Sequence, residues 1–307
     1  MKKKKKAPEA TAVNGSLIRR PIQRCFPIFV LPTFICFTIG FLWPFVQGIF
    51  LSFCEFITPS DIKKFVGFEN YIDAVTDKTF MHAFWYTSLF TIVSILAINI
   101  FAFAIAFALT QEIKGANIFR TVFFMPNLIG GIVLGYIWSM IFDGFLKMYD
   151  TFLLAKTSYG FWGLLILMCW QQIGYMMIVY IAGLQGVPEE LNEAAKIDGA
   201  TKWQTLWHVT IPNVMPSITI CVFLTLTNSF KLFDQNLALT GGMPVIFNAD
   251  GSTVNTTEML ALNIYKTFYT GAGSRGIAQA KAVIFFILVV VISLSQLYAT
   301  RSKEVQA

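Results

Sequence analysis

Lys231 and Asp234 stand three residues apart inside an otherwise apolar stretch, a spacing that puts both on one face of a helix. A charge at mid-membrane costs about 2.5–3.5 kcal/mol on insertion scales, so neither would face hydrocarbon alone. The pair is either a self-neutralising ion pair or part of a polar path. Asn127, Trp170, Gln171, Gln172, Tyr175, Asn228 and Gln235 are set in similar apolar stretches. Amides and aromatic rings of this kind can line a route for a polar solute, and they can equally bridge helices. His82 and His208 are far apart, and Cys25, Cys36, Cys54, Cys169 and Cys221 show no C-x-x-C spacing. The cysteines read as small apolar packing residues and the histidines lack metal-site partners, so no catalytic residue and no metal site is assigned. The chain contains no Gly-Lys dipeptide, which excludes a phosphate-binding P-loop.

The elements that must position these residues follow from composition. The chain is 56% hydrophobic and 13% charged, with 31 Phe residues, against about 45–50% and about 25% in a soluble domain. Apolar runs exceed the ~18 residues that span a hydrocarbon core. Six spans are expected: 26–53, 84–109, 121–142, 161–184, 215–235 and 277–298. Lipid-exposed segments of that length must be helices, and the period-two pattern of a barrel is absent. The fold class is therefore all-α integral membrane. Eight of the 23 basic residues fall in the first 24 positions, where they act as a cytoplasmic anchor; they do not form a nucleic-acid stripe. With the amino terminus inside, the inner segments carry fourteen Lys/Arg and the outer segments seven. Both termini are then cytoplasmic. The expected organisation is a basic tail over 1–25, a membrane body over 26–299 and a short tail over 300–307. Asn255-Thr256-Thr257 matches a glycosylation acceptor, a pattern common by chance.

The longest inner loop, 186–212, is punctuated as two short helices. Pro188 suits a first turn, Glu189 and Glu190 complement a positive helix end, and Gly199 supplies a left-handed stop. Thr201 restarts the chain as an N-cap, with Gln204 completing a capping box, and Pro212 limits the second helix. Leu191, Ala194 and Ala195 share one side of the first helix, while Trp203, Leu206, Trp207 and Thr210 follow helical spacing on the second. Such a small-residue, apolar face at a membrane surface can dock into a groove or rest among lipid headgroups, and the residues alone leave both open.

Glu193-Ala194-Ala195, then Gly199, then Val209-Thr210-Ile211-Pro212 resembles the EAA motif of bacterial ABC-importer permeases. Asp198-Gly199-Ala200 leans toward the carbohydrate branch. The segments 66–71, 181–188, 230–235 and 239–244 also resemble sugar permeases. Departures are Met243 where a third Gly is common, the longer stretch 245–254, and Lys281 in a last helix that is usually apolar. The resemblance implies a type I importer permease fold of six helices with a coupling-helix loop between spans four and five. It implies a permease subunit, not an enzyme, that moves a sugar across the cytoplasmic membrane by alternating access. The coupling residues would be Glu193, Ala194, Ala195, Asp198, Gly199, Ala200, Trp203 and Pro212. No cofactor would bind this chain; ATP and Mg would sit on a partner ATPase dimer. The other implied partners are a second permease, usually a paralogue, an extracytoplasmic solute-binding protein and membrane lipid. The sugar pathway would draw on the polar and aromatic residues named first. A phosphate ester or another polar solute is an alternative cargo, and Lys231 would suit an anionic one. A secondary transporter would be expected to show repeated halves and several buried acids, which the sequence lacks.

Overall fold

A computed structural model describes residues 16–56, 63–111, 113–247, 251–271 and 273–301. Most of the expected basic tail therefore lies outside the described residues, as do residues 302–307. The chain divides into two compact units, Met1–Leu51 and Ser52–Ala307. Six helical runs among the described residues are long and apolar enough to cross a membrane: Ile28–Leu51, Lys78–Leu109, Gly131–Tyr149, Thr157–Gln185, Lys202–Phe230 and Ser274–Thr300.

The first unit is one helical rod, α1 (Ser16–Phe37) and α2 (Trp43–Leu51), joined through a π-helical turn at Thr38–Leu42. Pro44 has no N–H to give, and the wider turn just before it, closed by Trp43 N–H donating to Thr38 O, lets the ladder continue past the ring.

The second unit opens with the hairpin β1 (Cys54–Phe56) and β2 (Lys63–Phe65), antiparallel with Cys54 opposite Phe65. Next come α3 (Glu69–Thr76) and the 32-residue α4 (Lys78–Leu109), which Asp77 caps by accepting from Thr79 N–H at 2.8 Å. The third span is not the continuous helix expected over 121–142. Instead α5 (Ala116–Phe124) runs into a 3₁₀ turn at Met125–Leu128, the chain extends at Ile129 and Gly130, and α6 (Gly131–Leu146) begins afresh. Pro126 and the glycine pair end the regular ladder within an apolar run that hydropathy alone reads as unbroken. A Cβ on Gly131 would stand 2.8 Å from Asp234 Cβ, and one on Gly135 2.5 Å from Ala238 Cβ. Small residues therefore let two segments meet here, whereas Gly130 faces open space.

The remaining elements are α7 (Thr157–Gln185), α8 (Glu189–Ile197), α9 (Lys202–Thr205), α10 (Ile211–Phe230) and α11 (Asp234–Leu239), then the hairpin β3 (Val245–Phe247) and β4 (Thr253–Asn255), α12 (Leu260–Thr270) and α13 (Ser274–Arg301). α4 packs along α7, with α10 against both. Phe90, Ile98, Leu164, Met168, Met176, Met177 and Cys221 fill that seam. At its middle the Tyr180 hydroxyl donates to Asn99 Oδ1 at 2.7 Å, and Asn99 Nδ2 reaches Thr225 Oγ1 at 3.3 Å, so three spans share one polar bridge. Such bridges stabilise membrane bundles by ~0.6 kcal/mol each.

Candidate functional site

The turn between α8 and α9 is built from local capping chemistry. Glu189 and Glu190 occupy the first turn of α8 and Lys196 its last, each complementing the helix dipole, with Pro188 at the N-cap. The helix stops where Gly199 adopts φ +78° and Ala200 N–H donates back to Ala195 O at 2.9 Å. Thr201 then caps α9, its hydroxyl accepting from Gln204 N–H while Gln204 Oε1 accepts from Thr201 N–H at 2.8 Å. Pro212 does not limit this second helix. A π turn at Leu206–Thr210 carries α9 directly into α10, with Ile211 N–H donating to Leu206 O, so the helical run is continuous from Lys202 to Phe230.

None of the residues of α8 or α9 is buried. Ile197 is 85% exposed and Trp203 67%, and the Trp203 and Trp207 rings meet edge to face at 5.7 Å. Glu193, Ala194, Asp198 and Gly199 are exposed, with Ala195, Ala200 and Pro212 half-buried. The result is a firmly capped knob whose exposed surface sets Ile197, Trp203 and Trp207 beside the charges of Glu189, Glu190, Glu193 and Lys196. Its base is fixed by buried Thr210 and by Val187, which packs on the core.

At the other end of α10 the expected Lys231–Asp234 pairing on one helical face does not form. The helix ends at Phe230, Lys231 is its C-cap, and Asp234 opens α11, so the intervening residues turn the two side chains out of helical register. Among the described residues the two make no ion pair with each other. Both instead line a cavity of about 250 Å³ with Gln172, Asn228, Gln235, Met168, Leu232 and Phe233. Gln235 Nε2 donates to Gln171 Oε1 at 2.7 Å, and Gln171 Nε2 donates to Ile129 O at 3.1 Å, tying the cavity wall to the break before α6. Asn228 Nδ2 lies 3.4 Å from Gln172 Oε1.

The cavity thus gathers five of the nine sequence candidates, with buried Gln171 behind them. The other three lie elsewhere. Asn127 sits in the 3₁₀ turn that precedes the third span. Trp170 is exposed, edge-on to Trp138 at 5.5 Å. Tyr175 packs on the core.

Sequence reasoning missed a buried polar network at this same end. Lys281 is 1% exposed, yet its Nζ donates to Asp77 Oδ2 at 2.6 Å, Asn263 Oδ1 at 3.1 Å and Thr267 Oγ1 at 2.9 Å, which satisfies all three donors. Burial pushes the Asp77 carboxyl up, but the Lys281 hydrogen bond and charge, with two bonds from Thr79, outweigh it and hold the group below its ordinary value. Asn263 Nδ2 passes the network to Glu258 Oε1 at 2.7 Å. Glu258 Oε2 accepts from Lys266 at 2.7 Å and from Asn255 at 2.7 Å, so that Asn255 serves inside the fold. Start of α4, start of α13 and inner face of α12 are thereby held together. The sequence signal was Lys281 itself, a lysine that an apolar span can keep only with partners.

Comparison with known proteins gives three further findings. Residues 103–304 match the family described as binding-protein-dependent transport system inner membrane component. The chain is 41% identical to a probable starch degradation products transport system permease protein of Thermoanaerobacterium thermosulfurigenes, covering 91% of this chain and 94% of that one. It is 32% identical to a multiple sugar-binding transport system permease protein of Streptococcus mutans, covering 90% and 95%. In fold it is similar to a chain of a bacterial ABC transporter that imports the acidic polysaccharide alginate, at TM-score 0.74 and 20% identity over 93% of this chain and 99% of that one.

Proposed function

Because this chain belongs to the family of inner membrane components of binding-protein-dependent transport systems, a membrane transport subunit and not an enzyme, we propose that it carries a sugar or oligosaccharide in an ABC importer. The cavity at the end of α10 is the observation that carries this reading. Three carboxamides, Gln172, Asn228 and Gln235, offer donors and acceptors for hydroxyls, and Lys231 is balanced by Asp234 in the same wall. A phosphate ester would meet that carboxylate, so a neutral polyhydroxylated solute fits better. The relatives named for starch products and multiple sugars support the same class.

The α8–α9 knob is the part through which a separate ATPase dimer drives transport. Ala194, Ala195 and the Gly199 turn allow close approach, Glu193 is the polar contact, and Trp203 fills a groove. ATP and Mg belong to that partner, since this chain has no phosphate loop. A second permease, usually a paralogue, completes the translocation path, and an external binding protein delivers the solute. The chain lies in the cytoplasmic membrane with both termini inside, an orientation that the twofold excess of inner Lys/Arg supports.

Uptake of radiolabelled sugars by the assembled importer in proteoliposomes tests the cargo. Gln172→Leu or Asn228→Leu should each lower the maximal rate by about tenfold, the loss of one or two hydrogen bonds to hydroxyls. Unchanged uptake of every sugar offered would remove those residues from the path.

A further inference from the structure

The surface of α3 falls into three arcs at about 100° per residue. Asn70 and Ala74 share the buried one, where Asn70 Nδ2 donates to Ser52 O at 2.9 Å and to Cys54 O at 3.0 Å. A Cβ on Gly276 would stand 2.7 Å from that Nδ2, so α13 closes tightly over this side and holds the helix in place. Glu69 and Asp73 share a second arc and are exposed. Phe68, Ile72 and Val75 share the third and are exposed too, at 69%, 63% and 52%. Phe65 on β2, also exposed, extends the apolar arc, because its ring and that of Phe68 both rest on Phe53, at 6.4 and 5.3 Å between centres. A helix covering a core in water would bury its large apolar residues; here the core takes an asparagine and an alanine and leaves the large ones outside.

The depth of α3 is fixed by its neighbours. Asp77, the residue between α3 and α4, accepts from Lys281 Nζ at 2.6 Å. Lys281 lies about 9 Å from the middle of the Ser274–Thr300 span, toward its start, at about 1.5 Å per residue. Side chains on a helix lean toward its N-terminus, so the ammonium is carried several ångströms further the same way. Asp77 therefore stands near the border of a hydrocarbon core whose half-thickness is about 15 Å, and α3 lies in the headgroup layer beside it. Trp85 is a second mark of level. It is 66% exposed near the start of α4 and heads a stripe of exposed residues, Leu89, Ile92, Leu96 and Ile100, that runs down the span, the place of an aromatic residue at a membrane border.

We infer that α3 is a surface-lying lipid anchor: the arc of Phe65, Phe68, Ile72 and Val75 is immersed in the headgroup–acyl boundary of the leaflet at the cavity end, with Glu69 and Asp73 turned to water. Lipid is the occupant that fits both the chemistry and the level. The arc carries no charge and its flank is acidic, an amphipathic division that matches a boundary where polarity changes over a few ångströms. The arc is also continuous, through Asp77, with the exposed stripe of α4. Such an anchor sets the height of Asp77, and with it keeps the Lys281 pair at the border of the hydrocarbon, where charge is less costly than at its centre. The inference goes beyond the sugar reading and holds for any cargo.

The test uses the complete importer in phosphatidylcholine–phosphatidylglycerol bilayers, with Cys25, Cys36 and Cys169 replaced by Ser and the buried Cys54 and Cys221 kept. A nitroxide label is placed on one introduced cysteine at a time: Ile72→Cys, Val75→Cys, Glu69→Cys or Asp73→Cys. Its spectra report collisions with oxygen, which concentrates in lipid, and with a water-soluble nickel chelate. The oxygen-to-nickel ratio should be severalfold higher at positions 72 and 75 than at 69 and 73. A ratio equal at all four, with the chelate reaching each, would put α3 in water and overturn the inference. Labels at 72 and 75 that neither reagent reaches would overturn it as well, by placing another protein chain on the arc. Phe65→Cys repeats the measurement on β2, away from the helix, so that a label which disturbs α3 does not decide the result: an oxygen-rich environment there upholds the anchor, and a nickel-rich or closed one removes it.

Discussion

Lys281 illustrates how a single side chain can be costly and still retained. An ammonium with 1% exposure is tolerable only because three acceptors surround it, one of them the Asp77 carboxylate. Its partner is less confined, with 30% of the Asp77 side chain exposed and two further bonds from Thr79. Removing the two partners should therefore have unequal effects. Asp77→Ala strands a buried ammonium and should destabilise by about 3 kcal/mol, the scale for a broken buried pair. Lys281→Met leaves a carboxylate that water and Thr79 still reach, and should cost about 1 kcal/mol. Thermal unfolding of the detergent-solubilised protein measures both. If Lys281→Met is the more damaging, the pair is not organised as described. Carboxamides in the cavity follow the same logic at lower stakes: Gln171 is satisfied by Gln235 and Ile129 O and serves as a brace, which frees Gln235's remaining capacity for a solute.

Elements were legible in the sequence where their causes are local. The capping box at Thr201 and Gln204 and the left-handed Gly199 depend on residues within five positions of one another, and the structure forms both as read. Long apolar runs gave the spans, because hydrocarbon admits only one backbone solution. Breaks within those runs were not legible. The interruption at Met125–Gly130 falls in a stretch whose hydropathy does not change, so a composition reading carries the helix through it, and the end of α10 at Phe230 is hidden because Lys231 and Asp234 fit a helical i, i+3 spacing equally well. The Lys281 network was hidden for the opposite reason, since Asp77 is 204 positions away from it. Of the two candidate sites, the caps of the knob were therefore readable residue by residue but its end at Pro212 was not, while the cavity was readable only as a set of candidates whose turn geometry decides membership. The knob carries its own prediction. A Cβ at Gly199 meets nothing within 4 Å, so Gly199→Ala disturbs the backbone conformation, not the packing, by about 1–2 kcal/mol. Ala195→Asp instead places a charge on the docking face. Both should lower uptake per ATP hydrolysed by the assembled importer, with the aspartate the stronger, and an unchanged ratio at normal abundance would detach the knob from coupling.

For the whole molecule, one helix separates the two working ends. α10 has 20 residues from Ile211 to Phe230, a rise of about 30 Å, or one hydrocarbon thickness. The α8–α9 knob lies before it; the polar cavity, α11 and α12 lie after it. Whichever side of the membrane the knob faces, the polar cavity therefore lies toward the other. That arrangement suits a chain which receives force on one face and solute on the opposite one, and it makes sidedness a measurement of function. In a variant with Cys25, Cys36 and Cys169 replaced by Ser, which keeps the buried Cys54 and Cys221, Ala200→Cys and Tyr269→Cys each place one accessible reporter at a half-buried or exposed position on the two ends. A membrane-impermeant thiol reagent added to intact cells should label Tyr269→Cys and spare Ala200→Cys, and in inside-out vesicles the pattern should reverse. Cytoplasmic exposure of the knob is what the proposed orientation expects from the Lys/Arg excess, and exposure of α12 on the opposite side is what the length of α10 expects. Labelling of both reporters from one side would mean that α10 does not cross the bilayer. Labelling of Ala200→Cys alone in intact cells would put the knob out of reach of any cytoplasmic ATPase, however well its caps are formed.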